Sequence, residues 1–295
     1  MADRLPIFQR TPDRAIAEAH EIVRAAKAEH RPTKTFLLFS GGNDSLVLLD
    51  AMAQHADAVV HVNTTISVRE SNLFARRVGR SYGLPYIEGL PPESYRRLCL
   101  THPVLKGMPG PGVHHIVYSR LKERVFEAVL RQHRRYRGER FLLLSGIRRA
   151  ESPRRNAREV SAVDRKGGQV WVKPLLDWDN DEMFHYRKAN DLPVNPVAQE
   201  LHMSGECICG AMADQDHARE ERAQLKFFRP AAERRIADIE EAVKRAELPY
   251  QEWGVKRAPD CKGIADELAG RGPTLFACQS CERRYEHLTD PEAAP

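Results

Sequence analysis

Residues 35–45, Thr-Phe-Leu-Leu-Phe-Ser-Gly-Gly-Asn-Asp-Ser, join a short apolar run to a glycine-rich turn. The run TFLLF is typical of a buried strand, and residues 44–54 predict a helix directly after the turn. Two successive glycines let backbone N–H groups face one anion, and the start of a helix adds partial positive charge. The stretch therefore predicts either an ordinary strand-to-helix turn or an anion-binding loop. In the second case the anion is bound by Ser40, Gly41, Gly42, Asn43, Asp44 and Ser45.

Asp44 carries the negative charge of this loop, and a carboxylate that faced a phosphate would repel it. We therefore expect Asp44 either to cap the helix or to hold a Mg²⁺ ion that bridges the phosphates. The pattern GxxxxGK[ST] is absent, so the loop is not a Walker loop.

Strands and helices alternate along the first 200 residues. Further strands are predicted at 58–63, 84–89 and 140–146. Helices are predicted at 12–29, 69–82 and 118–134, the first with Thr11 as its N-cap. This order predicts an α/β fold with a mostly parallel, doubly wound sheet that is covered on both faces.

The character of the chain changes after Pro196, where cysteines and two charged helical stretches follow. We predict a sheet-containing domain at 1–200 and a smaller helical, cysteine-containing lobe at 201–295. No run of about 18 apolar residues is present, and the first residues are charged where a signal peptide needs an apolar stretch. A cytoplasmic location without membrane contact is expected.

Positive charge is concentrated between Arg131 and Arg158, where ten Arg accompany two Glu. Such a stretch attracts anions, and either a solvated basic face or a site for nucleotide or nucleic-acid phosphate explains it. The segment 101–115 is rich in Gly and Pro and predicts a surface loop or lid. Its histidines are expected to be solvent-exposed, with no assigned role.

Five of the six cysteines follow residue 206, a distribution that is typical of a metal site. Cys207 and Cys209 form a Cys-x-Cys pair, Cys278 and Cys281 a Cys-x-x-Cys pair, and Cys261 lies between them. Four thiolates suit a tetrahedral zinc or a [4Fe–4S] cluster, and the spacing separates these poorly. Cys99 is isolated in sequence and is expected to be a buried packing residue.

Three separated motifs carry a resemblance to a known family. They are SGGNDS (40–45), SGIRRAESPR (145–154) and KPLLDWDNDEMFHYRKANDLPVNP (173–196). With them the chain resembles the phosphoadenosine phosphosulfate reductase-like branch of the PP-loop, or adenine nucleotide α-hydrolase-like, superfamily. The resemblance implies that 1–200 is an adenine-nucleotide-binding domain. ATP or a related adenylate would bind at the carboxyl ends of its parallel strands, be attacked at the α-phosphate and release pyrophosphate.

The second motif adds Gly146, Arg148 and Arg149 to the predicted nucleotide site. It puts positive charge at the carboxyl end of a strand, where open α/β sheets bind ligands. Arg148 is the best candidate to stabilise the phosphate charge, and Asp44 and Arg148 are the predicted catalytic residues. Surface solvation is the alternative for both arginines.

The chain departs from the family pattern at two places. Asn43 stands where Lys is common, so the loop lacks one phosphate-neutralising charge, which Arg148, Lys173 or Arg69 could supply. The Cys-Gly-[Ile/Leu]-His context that carries the catalytic thiol of sulfonucleotide reductases does not occur. A protein thiosulfonate intermediate is therefore disfavoured.

Relatives that handle sulfur often carry iron–sulfur clusters, so the resemblance favours a [4Fe–4S] cluster over zinc. The expected ligands are Cys207, Cys209, Cys278 and Cys281, with Cys261 as the substitute. The resemblance extends to DNA phosphorothioation enzymes of the DndC and SspD type. It implies an ATP pyrophosphatase that adenylylates a substrate for sulfur incorporation, with DNA, a cysteine desulfurase or other sulfur donor, and other modification-system proteins as partners. A sulfonucleotide reductase and a non-catalytic module that senses nucleotide and cluster are the alternatives.

Overall fold

A six-stranded sheet organises the computed structural model, which describes residues 11–151, 161–213 and 218–256. Its strands are β1 (Lys34–Leu38), β2 (Ala58–Val62), β3 (Tyr86–Gly89), β4 (Phe141–Leu144), β5 (Val163–Lys166) and β6 (Gln169–Val172). Their order is β3-β2-β1-β4-β6-β5. All neighbours are parallel except β5, which pairs antiparallel with β6. The predicted α/β fold with a mostly parallel sheet is confirmed.

Helices precede β1, fill the connections between β1 and β4, and follow β6. They are α1 (Pro12–His30), α2 (Asn43–Met52), α3 (Arg69–Ser81), α4 (Tyr95–Thr101), α5 (His114–Tyr118), α6 (Arg124–His133), α7 (Asn180–Ala189), α8 (Pro196–Leu201), α9 (Ala218–Phe228) and α10 (Pro230–Arg245). A π-helical turn at Ser119–Glu123 joins α5 to α6. No helix in the described ranges is long and apolar enough to cross a membrane.

Local signals explain where the helices begin. The Thr11 hydroxyl accepts a hydrogen bond from the Arg14 backbone N–H (3.3 Å), and Pro12 follows in the first turn, so α1 begins where the sequence predicts. At α7 the side chains of Asp179 and Glu182 form a reciprocal capping box.

Apolar side chains cover both faces of the sheet. On one face Leu37, Leu144 and Val172 pack with α1 and α2. On the other face Phe36 and Trp171 pack with α6. A crossed connection places β1 between β2 and β4, so the strand order reverses between β1 and β4. In open α/β sheets such a point opens a crevice at the carboxyl ends of the strands.

The segment 101–115 is not a surface loop, so the prediction of exposed histidines is wrong. Leu105 and Met108 are fully buried, and only 5% of His102 and of His115 is exposed. The Met108 N–H donates to the Tyr250 carbonyl oxygen (2.7 Å), so the segment is covered from the C-terminal side of the chain. Gly and Pro mark an irregular backbone, but they do not show whether another element covers it.

A third cluster of buried residues joins α4, the 101–115 segment and the helices α9 and α10. Its members come from both sides of residue 200, among them Ile66, Tyr95, Leu225 and Ile236. The division into 1–200 and 201–295 stays a prediction.

Candidate functional site

The Ser40–Ser45 loop connects β1 to α2 at the point where the strand order reverses. The Ser40 and Ser45 hydroxyl oxygens lie 2.9 Å apart, and the Ser45 hydroxyl donates to the Gly42 carbonyl oxygen (3.0 Å). Gly41 has a φ of +82°, which favours glycine. No side chain caps the N-terminus of α2. The expectation that Asp44 caps this helix is therefore wrong, and the first turn keeps backbone N–H groups that can bind an anion.

Arg148 is buried and holds Asp44. One guanidinium nitrogen lies 3.1 Å from Asp44 Oδ1, the other donates to the Trp178 carbonyl oxygen (3.1 Å), and both lie 3.2 Å from Asn180 Oδ1. Only 5% of Arg148 is exposed. These bonds fix the Asp44 carboxylate, so the geometry makes Arg148 a residue that positions Asp44. Its predicted role in stabilising phosphate charge stays a prediction.

Gly146 brings the segment after β4 against the loop. A Cβ atom at this position would lie 3.1 Å from the Asp44 carbonyl oxygen and 3.2 Å from the Ser45 nitrogen, so a side chain would force the two segments apart. Arg149 turns away and pairs with Asp177 (2.7 Å), with 33% of the Arg149 side chain and 64% of the Asp177 side chain exposed. Of the second motif, Gly146 therefore packs against the loop, whereas Arg149 lies at the surface.

A cavity of about 670 Å³ opens at the loop and extends along the face of the sheet that α6 covers. Apolar lining comes from Val60, Val62, Phe126 and Trp171, and polar lining from Lys122, Glu123, Glu127, Lys166, His202 and Glu206. Ser40, Gly42, Asn43, Asp44, Ser45 and Gly146 line its loop end. The volume lies in the range of about 300–1,000 Å³ that is typical of small-molecule sites.

Lys122 is a site residue that the sequence did not indicate. It lies in the π-helical turn, and its Nζ donates to Glu206 Oε2 (2.6 Å). Burial alone would lower the pKa of Lys122, but the Glu206 carboxylate and the Cys207 thiolate outweigh burial and raise it. Lys122 is therefore a cation at the cavity. No motif surrounds it, and the π-turn shifts it away from the register of a regular helix.

The three cations expected to replace a loop lysine are not at the cavity. Arg148 is bound to Asp44, and Lys173 is buried in a pair with Asp164 and a hydrogen bond to the Ser161 carbonyl oxygen. Arg69 is exposed at the start of α3. In the described part of the chain, two lysines line the cavity, Lys122 and Lys166, and no arginine does.

The segment before the first cysteine pair lies directly beside the loop. The Asn195 amide donates to the carbonyl oxygens of both Gly41 (2.9 Å) and Ser204 (3.1 Å). The Ser71 hydroxyl donates to the same Ser204 oxygen (2.7 Å). Residues 204–206 thereby close one side of the cavity, and Cys207 follows at once.

Cys207 and Cys209 lie together directly after residues 204–206, which close one side of the cavity. A hydrogen bond from Cys209 lowers the pKa of the Cys207 thiol to about 7; burial opposes this change and the charge of Lys122 adds to it. Because Cys209 donates that bond and is buried, its own pKa is raised. The third described cysteine, Cys99, is buried as expected, and it interacts with Tyr95, whose hydroxyl donates to the Cys209 carbonyl oxygen (2.7 Å).

The predicted metal site is only half described. Cys207 and Cys209 are together, whereas Cys261, Cys278 and Cys281 lie outside the described residues. Among the described residues no group of three His, Cys, Asp or Glu side chains is arranged to hold a metal ion. The four-cysteine ligand set therefore stays a prediction.

Comparison with known proteins relates this architecture to sulfonucleotide reductases. Residues 34–208 match the family model described as phosphoadenosine phosphosulfate reductase domain. An adenosine 5'-phosphosulfate reductase of Staphylococcus haemolyticus is 29% identical over 201 residues, 66% of this chain and 77% of that protein. A namesake from Rhodococcus erythropolis is 34% identical over 64 residues, and that match covers only 26% of its length.

Solved structures show a weaker likeness. The U34-tRNA thiolase NcsA of Methanococcus maripaludis, solved with its [4Fe-4S] cluster, aligns over 91% of this chain and 88% of its own at 13% identity. The TM-score is 0.46, and a likeness of that size carries no functional conclusion.

Proposed function

We propose that this chain, which belongs to the phosphoadenosine phosphosulfate reductase domain family, is an ATP pyrophosphatase that adenylylates a substrate for sulfur incorporation. The observation that carries the proposal is that the Ser40–Ser45 loop, including Asp44, lines one end of a cavity large enough for a nucleotide. Backbone N–H groups and hydroxyls of the loop suit phosphate oxygens, and the apolar part of the cavity suits an adenine ring.

The proposed reaction has two redox-neutral steps. An acceptor oxygen attacks the α-phosphorus of ATP, the bond to the β-phosphate oxygen breaks, and pyrophosphate leaves. A sulfur nucleophile at the sulfide level then displaces AMP from the acceptor, so that one bond to oxygen is replaced by one bond to sulfur. The first step collects negative charge on the departing pyrophosphate, beside the N-terminus of α2 and the Lys122 ammonium.

The residues present fit Mg²⁺ at the loop. Magnesium sites usually combine one or two carboxylates with substrate phosphate oxygens, and Asp44 is a carboxylate held at the cavity by Arg148. When bound, the ion would neutralise phosphate charge. The chain's own contribution is to hold the Asp44 carboxylate at a fixed place.

Cys207 and Cys209 fit a thiolate ligand pair, because they are adjacent and the Cys207 pKa is low. We propose that they, Cys278 and Cys281 hold a [4Fe–4S] cluster, with zinc as the alternative. When bound, such a cluster would supply an iron to which sulfur can coordinate. Anaerobic purification checks this point: a brown protein that is bleached by Cys278→Ser supports it, and a colourless zinc protein refutes it.

A sulfonucleotide reductase is the second candidate, because the Staphylococcus haemolyticus relative bears that name. Reduction through a protein thiosulfonate needs a thiol that reaches the bound nucleotide. In the described ranges no cysteine lines the cavity. The Cys-Gly-[Ile/Leu]-His context that carries such a thiol in sulfonucleotide reductases does not occur in residues 1–295, and on that ground we propose ATP cleavage rather than reduction.

We further propose DNA as the acceptor, in a phosphorothioate modification of its backbone, with a cysteine desulfurase as a sulfur donor. Because such chemistry needs ATP and reduced thiols, the location we propose is the cytoplasm.

Labelled ATP tests the proposal. With DNA and sulfide present, reconstituted protein should convert α-labelled ATP to labelled AMP and γ-labelled ATP to labelled pyrophosphate. If neither product forms, with or without DNA, the proposal fails. Sulfite release from adenosine 5'-phosphosulfate with thioredoxin and without ATP would establish the reductase instead. Asp44→Ala should stop ATP turnover and leave the brown colour intact.

A further inference from the structure

The turn between α6 and β4 presents a concentrated positive charge that the nucleotide site does not use. We call residues 131–140 the basic turn. It holds the arginines Arg131, Arg134, Arg135, Arg137 and Arg140, and the first four of these are exposed. Tyr136 lies among them with 56% of its surface exposed. An exposed aromatic ring between arginines is a surface on which a planar base can stack.

The basic turn lies at the opposite edge of the sheet from the Ser40–Ser45 loop. It precedes β4, whereas Arg148 follows β4, and both segments flank the same strand. A four-residue strand spans about 10 Å, so arginines before β4 do not reach phosphates bound after β1 and β4. An anion that binds these arginines is therefore different from the phosphates bound at the loop.

A buried carboxylate shapes the turn. Glu139 is 1% exposed and accepts hydrogen bonds from the Arg135 backbone N–H (2.5 Å), the Arg135 side chain (3.2 Å) and the Thr33 hydroxyl (2.8 Å). This carboxylate fixes the backbone of the turn. The surface is thus ordered before any partner binds, which lowers the entropic cost of binding.

The hairpin between β5 and β6 extends the basic surface towards the cavity. A Cβ atom at Gly168 would lie 3.2 Å from an Arg134 guanidinium nitrogen, so this hairpin touches the basic turn. Lys166 in the same hairpin lines the cavity. The basic turn and the hairpin therefore form one surface from Arg137, before β4, to Lys166 at the cavity, where the Glu123 carboxylate lies near Lys166.

We propose that the basic turn, with Tyr136 and the adjoining β5–β6 hairpin, binds a single-stranded nucleic acid and leads it into the cavity. Arginines and Lys166 contact backbone phosphates, and Tyr136 stacks on an unpaired base. Stacking needs an unpaired base, so the ring favours a single strand over a duplex or an acidic protein. That this strand is the acceptor rests on the proposed function; that it binds here does not.

Fluorescence anisotropy with labelled 20-nucleotide single strands of DNA and of RNA, and with duplex DNA, tests the inference without ATP. The variant Arg131→Glu/Arg137→Glu should weaken single-strand binding at least about tenfold and reduce the slope of log affinity against log salt by about 1.4. Tyr136→Ala should weaken single-strand binding about tenfold and leave duplex binding unchanged.

The matched control is Arg14→Glu/Arg24→Glu, which makes the same change in net charge at exposed positions of α1, where 73% and 61% of the side chains are exposed. Equal weakening by both double variants would overturn the inference, because it would show a response to net charge alone. Absence of single-strand binding by the unaltered protein, or a stronger preference for duplex, would overturn it too. Retained strand binding by protein that does not cleave ATP would refute the proposed function and leave this inference standing.

Discussion

Arg148 and Arg137 belong to one basic stretch of sequence, yet they lie at opposite ends of β4. Arg148 is buried and donates hydrogen bonds to Asp44, Trp178 and Asn180, whereas Arg137 is exposed in the basic turn. A run of like charges indicates attraction for anions, but the strand in its middle divides the run between two sites. The burial of each guanidinium then decides whether it organises the protein or faces a partner.

This contrast predicts that Arg148 is mainly a stabilising residue. Arg148→Ala should lower the free energy of unfolding by about 3 kcal/mol, because it removes a buried guanidinium and leaves the half-buried Asp44 carboxylate and the buried Trp178 carbonyl oxygen without their donor. Its neighbour supplies the matched control. Arg149→Ala removes an exposed ion pair and should cost less than about 1 kcal/mol. Urea unfolding of both variants measures the difference, and equal costs would show that the burial of Arg148 has no such consequence.

The carboxylate that Arg148 holds should matter most for turnover. Asp44→Asn keeps an acceptor for Arg148 but loses the charge that a Mg²⁺ ion needs, so ATP cleavage should fall about a hundredfold, or about 2.7 kcal/mol. Asp181→Asn changes an exposed residue of α7 and should have no effect. Initial rates of pyrophosphate release are compared. Normal turnover by Asp44→Asn would remove the loop from the mechanism.

The fold could be predicted because its signals are local. The run TFLLF, the Thr11 cap and the regular alternation of strands and helices each depend on neighbours in sequence, and the sheet follows from them. The 101–115 segment could not be predicted in the same way. Its burial depends on contact with Tyr250, well over a hundred residues further along, and Gly and Pro carry no trace of that contact.

The candidate site shows the same division. The loop residues and Gly146 came from motifs, whereas Lys122 reaches the cavity through a π-helical turn that no periodicity indicates. The contact between the loop and residue 204, made through Asn195, also depends on tertiary packing. Motifs predicted which residues of the loop face the cavity, and they missed Lys122, which also lines it.

Lys122 is a third case, a cation that lines the cavity. The loop has Asn43 in place of a lysine and Arg148 is bound to Asp44, so we expect Lys122 to neutralise phosphate charge. Lys122→Met should reduce ATP turnover about tenfold, or about 1.4 kcal/mol, through a higher KM for ATP. Lys188→Met on exposed α7 is the control for loss of one positive charge. Steady-state kinetics of the two variants decide the matter. If both behave alike, the cavity does not depend on the Lys122 ammonium.

The smallest expected effect concerns the amino edge of the sheet. The backbone N–H of Arg135, with burial opposing and Thr33 adding, lowers the pKa of Glu139 to about 2. A carboxyl whose pKa is lower in the folded state stabilises the fold above its ordinary pKa, and this contribution is lost as the pH falls towards 2. Glu139→Gln lacks it at every pH, because the neutral amide offers one acceptor oxygen where the carboxylate offers two. The variant should therefore unfold in acid at a higher pH than the unaltered protein, and should bind single strands more weakly at pH 7.

Glu29→Gln, on the exposed end of α1, should match the unaltered protein in both measurements. An unchanged acid midpoint together with unchanged binding would mean that the basic turn keeps its shape without Glu139, and the contrast between an organised and a merely charged surface would then disappear.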